Sequence, residues 1–573
     1  MSARYLLLIG MLVNVLGPCV VCCCCRAADP AADGARAGRF IQHYEATVRP
    51  LEIEANRAAW IANLTGKDED FKRKEEAETK LALALSDRRA FAELKAIQQD
   101  GLLDPLLARQ IKVLYLEYLG KQIDPELLKA MTATDNAIQH TFNVFRPKLN
   151  GSEITDNQIR RTLRESTDPV ERQAAWEASK QVGRAVVKDL LKLVGMRNQA
   201  ARKLGFANYH VMQLYLAEQD EAQILRLFDD LDRLTRQPYH AAKAEIDAAL
   251  ASTYGISVSD LRPWHYHDPF FQEAPDPLGD LPESIYRPLD SVQVCRSFYD
   301  GIGLPVDGVL QRSDLYERPG KNPHAFCMDI DRAGDVRVLA NVVPGREWLG
   351  TMLHELGHAV YSENVGPALP YVLHTDAHPL CTEGIAMMFE RFAYNANWLR
   401  AFGARIARPQ QFQNAAARWQ RNRLLVFSRF CQVMFRFEKG LYEKAELLGN
   451  PTRDLSRFWW DLVEKYQEVK RPERRNEPDF AAKYHITGAP AYYHNYLLGE
   501  MFASQVHHAL VRQVLPGTKP SAAEYVGKAT AGEWLRQRVF LPGLTLNWNE
   551  LTRHATGEPL NPKAFAEDIQ ASP

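Results

Sequence analysis

Apolar residues recur at helical spacing along most of the chain. From Gly38 to Leu64, Phe40, Tyr44, Val48, Leu51 and Trp60 stand among charges, which predicts an amphipathic helix. Asp68 to Gln99, rich in Glu, Lys, Ala and Leu, predicts a long solvated helix. Asp104 to Leu119 and Pro125 to Ala137 continue the pattern. Ser166-Thr167-Asp168-Pro169 is a helix start, followed by helix formers from Trp176 to Leu204 and stopped by Gly205. Glu221 to Leu250 predicts a further helix, whereas residues 262–290, rich in Pro and Asp, predict a long ordered loop. No repeat, low-complexity tract or linker interrupts this. The pattern predicts a large, mainly α fold in two lobes.

One stretch breaks the helical period. His324 to Ile330 precedes the turn Asp331-Arg332-Ala333-Gly334-Asp335, and Val336, Val338, Ala340 and Val342 then alternate with Arg337, Leu339 and Asn341. That alternation predicts a β-hairpin, a small antiparallel sheet. A free sheet edge can hold an extended peptide by main-chain hydrogen bonds.

Just after it, His354-Glu355-Leu356-Gly357-His358 lies in an apolar, helix-compatible run. Histidines four apart share one helix face and can grip one metal ion, with Glu355 beside it to take a proton from water. Catalytic zinc needs a third protein ligand. Glu383 opens another apolar helix twenty-five residues beyond His358 and is the preferred candidate, with His374 and His378 as rivals. Glu390, seven residues on, lies on the same face as Glu383 and can accept a hydrogen bond from a ligand histidine.

Composition adds limits. The 573 residues carry a net charge of −1, so no basic surplus points to nucleic acid. Residues 1–28 have the form of a secretory signal peptide: Arg4, the apolar run Tyr5–Gly17, and small residues at Ala27-Ala28. The expectation is an exported domain spanning residues 29–573, touching a membrane only if the leader is retained or lipidated. Five of the nine cysteines lie in that leader; Cys295, Cys327, Cys381 and Cys431 remain, enough for at most two disulfides.

These residues together resemble the angiotensin-converting-enzyme (peptidyl-dipeptidase A) family of zinc metallopeptidases. Phe40-Ile41-Gln42-His43-Tyr44 and Ala175-Trp176-Glu177 are similar to its first helix and A-W-E segment. His324-Ala325 stands thirty residues before His354, like the family's substrate-binding pair. Trp459-Trp460-Asp461-Leu462, Lys483-Tyr484-His485-Ile486 and Tyr493-His494-Asn495-Tyr496 complete the likeness. The resemblance implies a helical fold with a deep central cleft and a small sheet at the active site. It implies one zinc ion on His354, His358 and Glu383, with Glu355 as the base and Tyr496 and His485 on the oxyanion. It also implies that Lys483 and Tyr493 bind the free C-terminus of a peptide, while His324 and Ala325 hold its backbone. The implied reaction releases C-terminal dipeptides; a thimet-type endo-acting oligopeptidase or an inactive peptide-binding relative is the alternative.

Departures from the family matter. One extra residue after His485 makes Tyr492 a rival for Tyr493. Val463, and His494-Asn495, stand where the family has chloride-binding arginines, so activity is expected to be largely independent of chloride. Pro323 replaces a disulfide cysteine and Met387 an aspartate. The family's glutamine-bearing substrate loop falls near His265 or Tyr266, which leaves the cleaved unit open.

Overall fold

The computed structural model describes residues 30–275, 281–322 and 324–570. The leader and Pro323 lie outside the described residues. The described residues are mainly helical, about 70% by content, and form two small antiparallel sheets. None of its described helices is long and apolar enough to cross a membrane.

Several predicted helices are subdivided. The first run forms Pro30–Thr47 and Arg49–Thr65, parted at Val48. The charged run forms Asp68–Leu85 and Arg88–Asp100. Asp87 causes that second break: its carboxylate accepts from the backbone N–H of Arg89 and Ala90 at 2.7 and 2.9 Å, capping a new helix inside a helix-forming composition. The long helices Pro169–Lys203 and Glu221–Tyr254 follow expectation. The helices Pro409–Lys444, Pro451–Gln467 and His494–Val514 complete the main body.

Two apolar clusters separate the lobes. A large core runs from Met131 to Ile569, while Phe40, Tyr44, Leu94, Ile111 and Tyr118 of the N-terminal helices form their own cluster. Between them lies a cavity of about 950 Å³ bounded by Tyr44, Glu117, Arg197, Arg332, Asp376 and Tyr492.

The hairpin forms as predicted, Phe326–Asp329 against Val336–Leu339 with Phe326 opposite Leu339 and Asp329 opposite Val336. Val336, Val338 and Leu339 are buried. On the other side the N-terminal helices cover it: Trp60 meets Phe326 edge-on at 5.9 Å, and the Asn56 amide donates to the Ile330 carbonyl at 3.1 Å. Among the described residues no further strand pairs with Phe326–Asp329.

Candidate metal and peptide site

Three helices converge at the centre: Arg346–Glu363 with the histidines, Pro379–Glu390 with Glu383, and His494–Val514 with Tyr496. Glycines set how closely they approach. A Cβ on Gly357 would stand 2.8 Å from the Ala386 Cα, and one on Gly384 2.7 Å from the Gly499 carbonyl oxygen. Real side chains do not tolerate such contacts, so any larger residue forces the helices apart.

At this junction the His354 and His358 Nε2 atoms lie 3.2 Å apart, and the Glu383 Oε2 lies 3.5 and 3.8 Å from them. Ligands on one tetrahedral zinc, each about 2.0–2.1 Å from it, stand roughly 3.3 Å from one another. Among the described residues this is the one cluster of His, Cys, Asp or Glu with such spacing. The buried Glu383 Oε2 has no hydrogen-bond partner. A buried carboxylate oxygen left so is costly without a cation, and a His₂Glu donor set is that of catalytic zinc, so the residues fit the ion.

Both imidazoles are turned by bonds from their far nitrogens. His354 Nδ1 donates to Glu390 Oε2 at 3.2 Å, as the spacing suggested, and His358 Nδ1 donates to the Thr382 hydroxyl at 2.7 Å. Each bond leaves the Nε2 lone pair aimed at the metal position. Thr382 was not singled out by sequence; its place one residue before Glu383 was the available signal. The rivals stand aside: His378 caps its helix by accepting from the Leu380 N–H at 3.1 Å, and neither it nor His374 joins the cluster.

Glu355 is 7% exposed and accepts a hydrogen bond from the Cys327 N–H of the hairpin. Burial, helped by the charge of Glu383 and opposed by His354, pushes its carboxyl up to about 7. His324 and Ala325 directly precede that strand; His324 is exposed, its N–H donating to the Asn322 side chain at 2.9 Å.

A second cluster lies beside the first. Lys483 Nζ and the Tyr493 hydroxyl both donate to one atom, the Gln272 Oε1, at 2.5 and 3.1 Å. Lys483 is 8% exposed, with its ammonium against the rings of Phe430 and Tyr493. Burial pushes it down to about 8 against the upward pull of Asp268. His485 packs edge-on against Tyr493 and Tyr496, with ring centroids 4.9 and 6.3 Å away. Burial, and then Lys483, lower His485 to about 3, so it is neutral at physiological pH. Burial and the charge of Glu383 push Tyr496 up to about 12, keeping it a phenol.

Two alternatives left open by the sequence are set aside. Tyr492 does not share the place of Tyr493; its hydroxyl donates to Glu383 Oε1 at 3.4 Å. Nor do His265 and Tyr266 reach the site. His265 accepts from the Arg262 N–H at 2.8 Å, and the Tyr266 hydroxyl donates to Asp247 at 2.9 Å. The glutamine at the site is Gln272, farther along the same loop, and no local pattern marks it. All four described cysteines are free and three are buried, within the limit of at most two disulfides. His494 and Asn495 are tied to Gln219 by neutral hydrogen bonds of 2.8 and 2.7 Å.

Known families match the two halves of the chain. The family model described as "Angiotensin-converting enzyme" matches residues 31–262, and that described as "Peptidase family M3" matches residues 310–571. The chain is 22% identical over 577 residues to the angiotensin-converting enzyme-like protein Ace3 of Mus musculus, covering 93% of this chain and 75% of that protein. It is 24% identical over 412 residues to the angiotensin-converting enzyme of Oryctolagus cuniculus, and 23% over 414 residues to that of Bos taurus. These alignments cover 66% and 67% of this chain but 30% and 31% of the relatives, so the chain spans less than a third of their length. The chain thus resembles the angiotensin-converting-enzyme family of metallopeptidases, and its C-terminal half also matches the pattern of M3 peptidases.

Proposed function

We propose that the protein is a zinc peptidase that removes dipeptides from the free C-terminus of peptides. The carrying observation is the shared acceptor of Lys483 and Tyr493. An ammonium and a phenol converge on a single oxygen beside the candidate metal site, and a peptide carboxylate presents the same kind of acceptor.

Zinc on His354, His358 and Glu383 would supply Lewis-acid polarisation of the scissile carbonyl and a more acidic water. In this reading Glu355, oriented by the Cys327 N–H, takes the proton of the attacking water and returns it to the leaving amine. Tyr496 and neutral His485 donate to the developing oxyanion, where preorganised donors act most strongly. The substrate backbone lies beside the strand Phe326–Asp329, with His324 and Ala325 at its start. The leader supports export of the protein, which N-terminal sequencing of secreted protein checks.

The test uses one peptide in two forms, C-terminal acid and C-terminal amide, with products read by mass spectrometry. Dipeptide release from the acid, with most activity lost on the amide, supports the proposal. Internal cleavage of both forms alike overturns it in favour of an endo-acting oligopeptidase. Purified protein without zinc, or inert toward both forms, overturns the peptidase reading.

A further inference from the structure

Gln272 sits on a loop that would not hold its shape unaided. Phe271, immediately before it, has φ of +50°, a left-handed conformation that costs a bulky residue roughly 1–3 kcal/mol. The loop folds back on Asp268, whose carboxylate accepts from the N–H of Phe270 and Gln272 at 3.0 and 2.9 Å. Three consecutive carbonyls are then fixed from outside. Pro269 accepts from the Trp176 indole at 2.9 Å and from Lys180 Nζ at 2.7 Å. The Gln467 amide donates to the Phe270 and Phe271 carbonyls at 3.0 and 2.7 Å. All three donors are buried, with Trp176 and Gln467 1% exposed and Lys180 4%.

Lys180 stands out because a buried ammonium is expensive. Burial pushes it down to about 7 against the upward pull of Asp479 and Asp268; its hydrogen bond is to a neutral carbonyl, and its Nζ lies 3.2 Å from the Phe270 ring centroid. The same ring also has the Lys483 Nζ 5.5 Å from its centroid. A methionine would fill this apolar space without the cost. What the lysine adds is a strong donor on the Pro269 carbonyl and a cation–π hold on Phe270, both acting on the segment that carries Gln272.

We propose that Lys180, with Trp176 and Gln467, is a positioning residue for C-terminal recognition. It clamps the 269–271 carbonyls and so holds Gln272 where its side chain completes the pocket of Lys483 and Tyr493. Lys180 touches no part of the substrate; it acts through the loop. The inference rests on the carboxylate-binding reading above.

The experiment measures kcat and KM of the zinc-loaded enzyme on the acid and amide forms of one peptide, for wild type, Lys180→Met, Lys180→Arg and Trp176→Phe. Losing a charge-assisted hold on the loop is expected to raise KM for the acid about tenfold in Lys180→Met, with kcat kept and the amide unaffected. Lys180→Arg is expected to restore much of the preference, and Trp176→Phe, which removes only the indole donor, to shift KM the same way by less. An unchanged acid-to-amide ratio in Lys180→Met overturns the inference, as does an equal loss on both forms. If Lys180→Met fails to fold, an unchanged ratio in Trp176→Phe overturns it instead. A wild type without preference for the acid sinks the carboxylate reading itself, a result distinct from a preference that survives Lys180→Met.

Discussion

The two halves of the site are built differently. The metal half comes from two helices, with all of its ligands and the hydrogen-bond partners of both histidines between His354 and Glu390. Rigid helices pressed together at Gly357 and Gly384 fix its geometry. The carboxylate half draws Gln272 from a loop, Lys483 from the end of a short turn and Tyr493 from the start of a helix. Its geometry depends on side chains that grip a strained loop. Chemistry that must not vary sits on helices, while recognition sits on a loop whose shape is set by its neighbours.

The sharpest separation of the halves is Glu355→Gln. It is expected to lower kcat by about 10²–10⁴-fold on acid and amide substrates alike while zinc is retained, the usual range for losing a general base. Comparable activity in the variant would break the assignment. Lys483→Met is expected to raise KM for free-acid peptides by about ten- to a hundredfold, the range of a lost bond to a charged group, and to leave the amide unchanged. A loss shared by both forms would show that the halves are not separable.

Gly384→Ala probes the packing beneath the metal half. Overpacking of this kind costs about 1–3 kcal/mol, so Tm and zinc affinity should fall together while the acid-to-amide ratio stays constant. A normal Tm with normal zinc affinity would refute the role given to this contact.

pH gives a gentler separation. The pKa of Lys483 is lowered on folding, so its charge is present below about 8 and lost as pH rises through that value. The kcat/KM for acid substrates should therefore decline above about 8 relative to the amide, because this ratio reports the free enzyme. A constant acid-to-amide ratio across that range would argue against Lys483 as the anchor. The smallest effect is expected from chloride. With His494 and Asn495 already paired to Gln219, its removal should leave kcat/KM unchanged, and a steep requirement would contradict that.

The same contrast explains what the sequence revealed. His354, Glu355, His358, Glu383 and Glu390 lie within 37 residues on regular helices, where spacing translates directly into direction. The hairpin was legible for the same reason, through its period of two. Gln272 was not, because its position follows from three side chains 96, 92 and 195 residues away in sequence (Trp176, Lys180 and Gln467). The order of Tyr492 and Tyr493 also needed the fold, since two adjacent residues at a helix start point in different directions. The break at Asp87 escaped because a cap inside a strongly helix-forming run leaves the composition unchanged.

Gly357, Gly384 and Gly499 carry no chemistry, yet the spacing of the ligand atoms depends on the side chains they lack. In a survey of every possible substitution scored by activity, these three positions should prove as intolerant as the histidines. A map of the active site drawn from mutational tolerance alone would then include residues that never touch a substrate or an ion. Part of the catalytic information in this chain is therefore stored as absence.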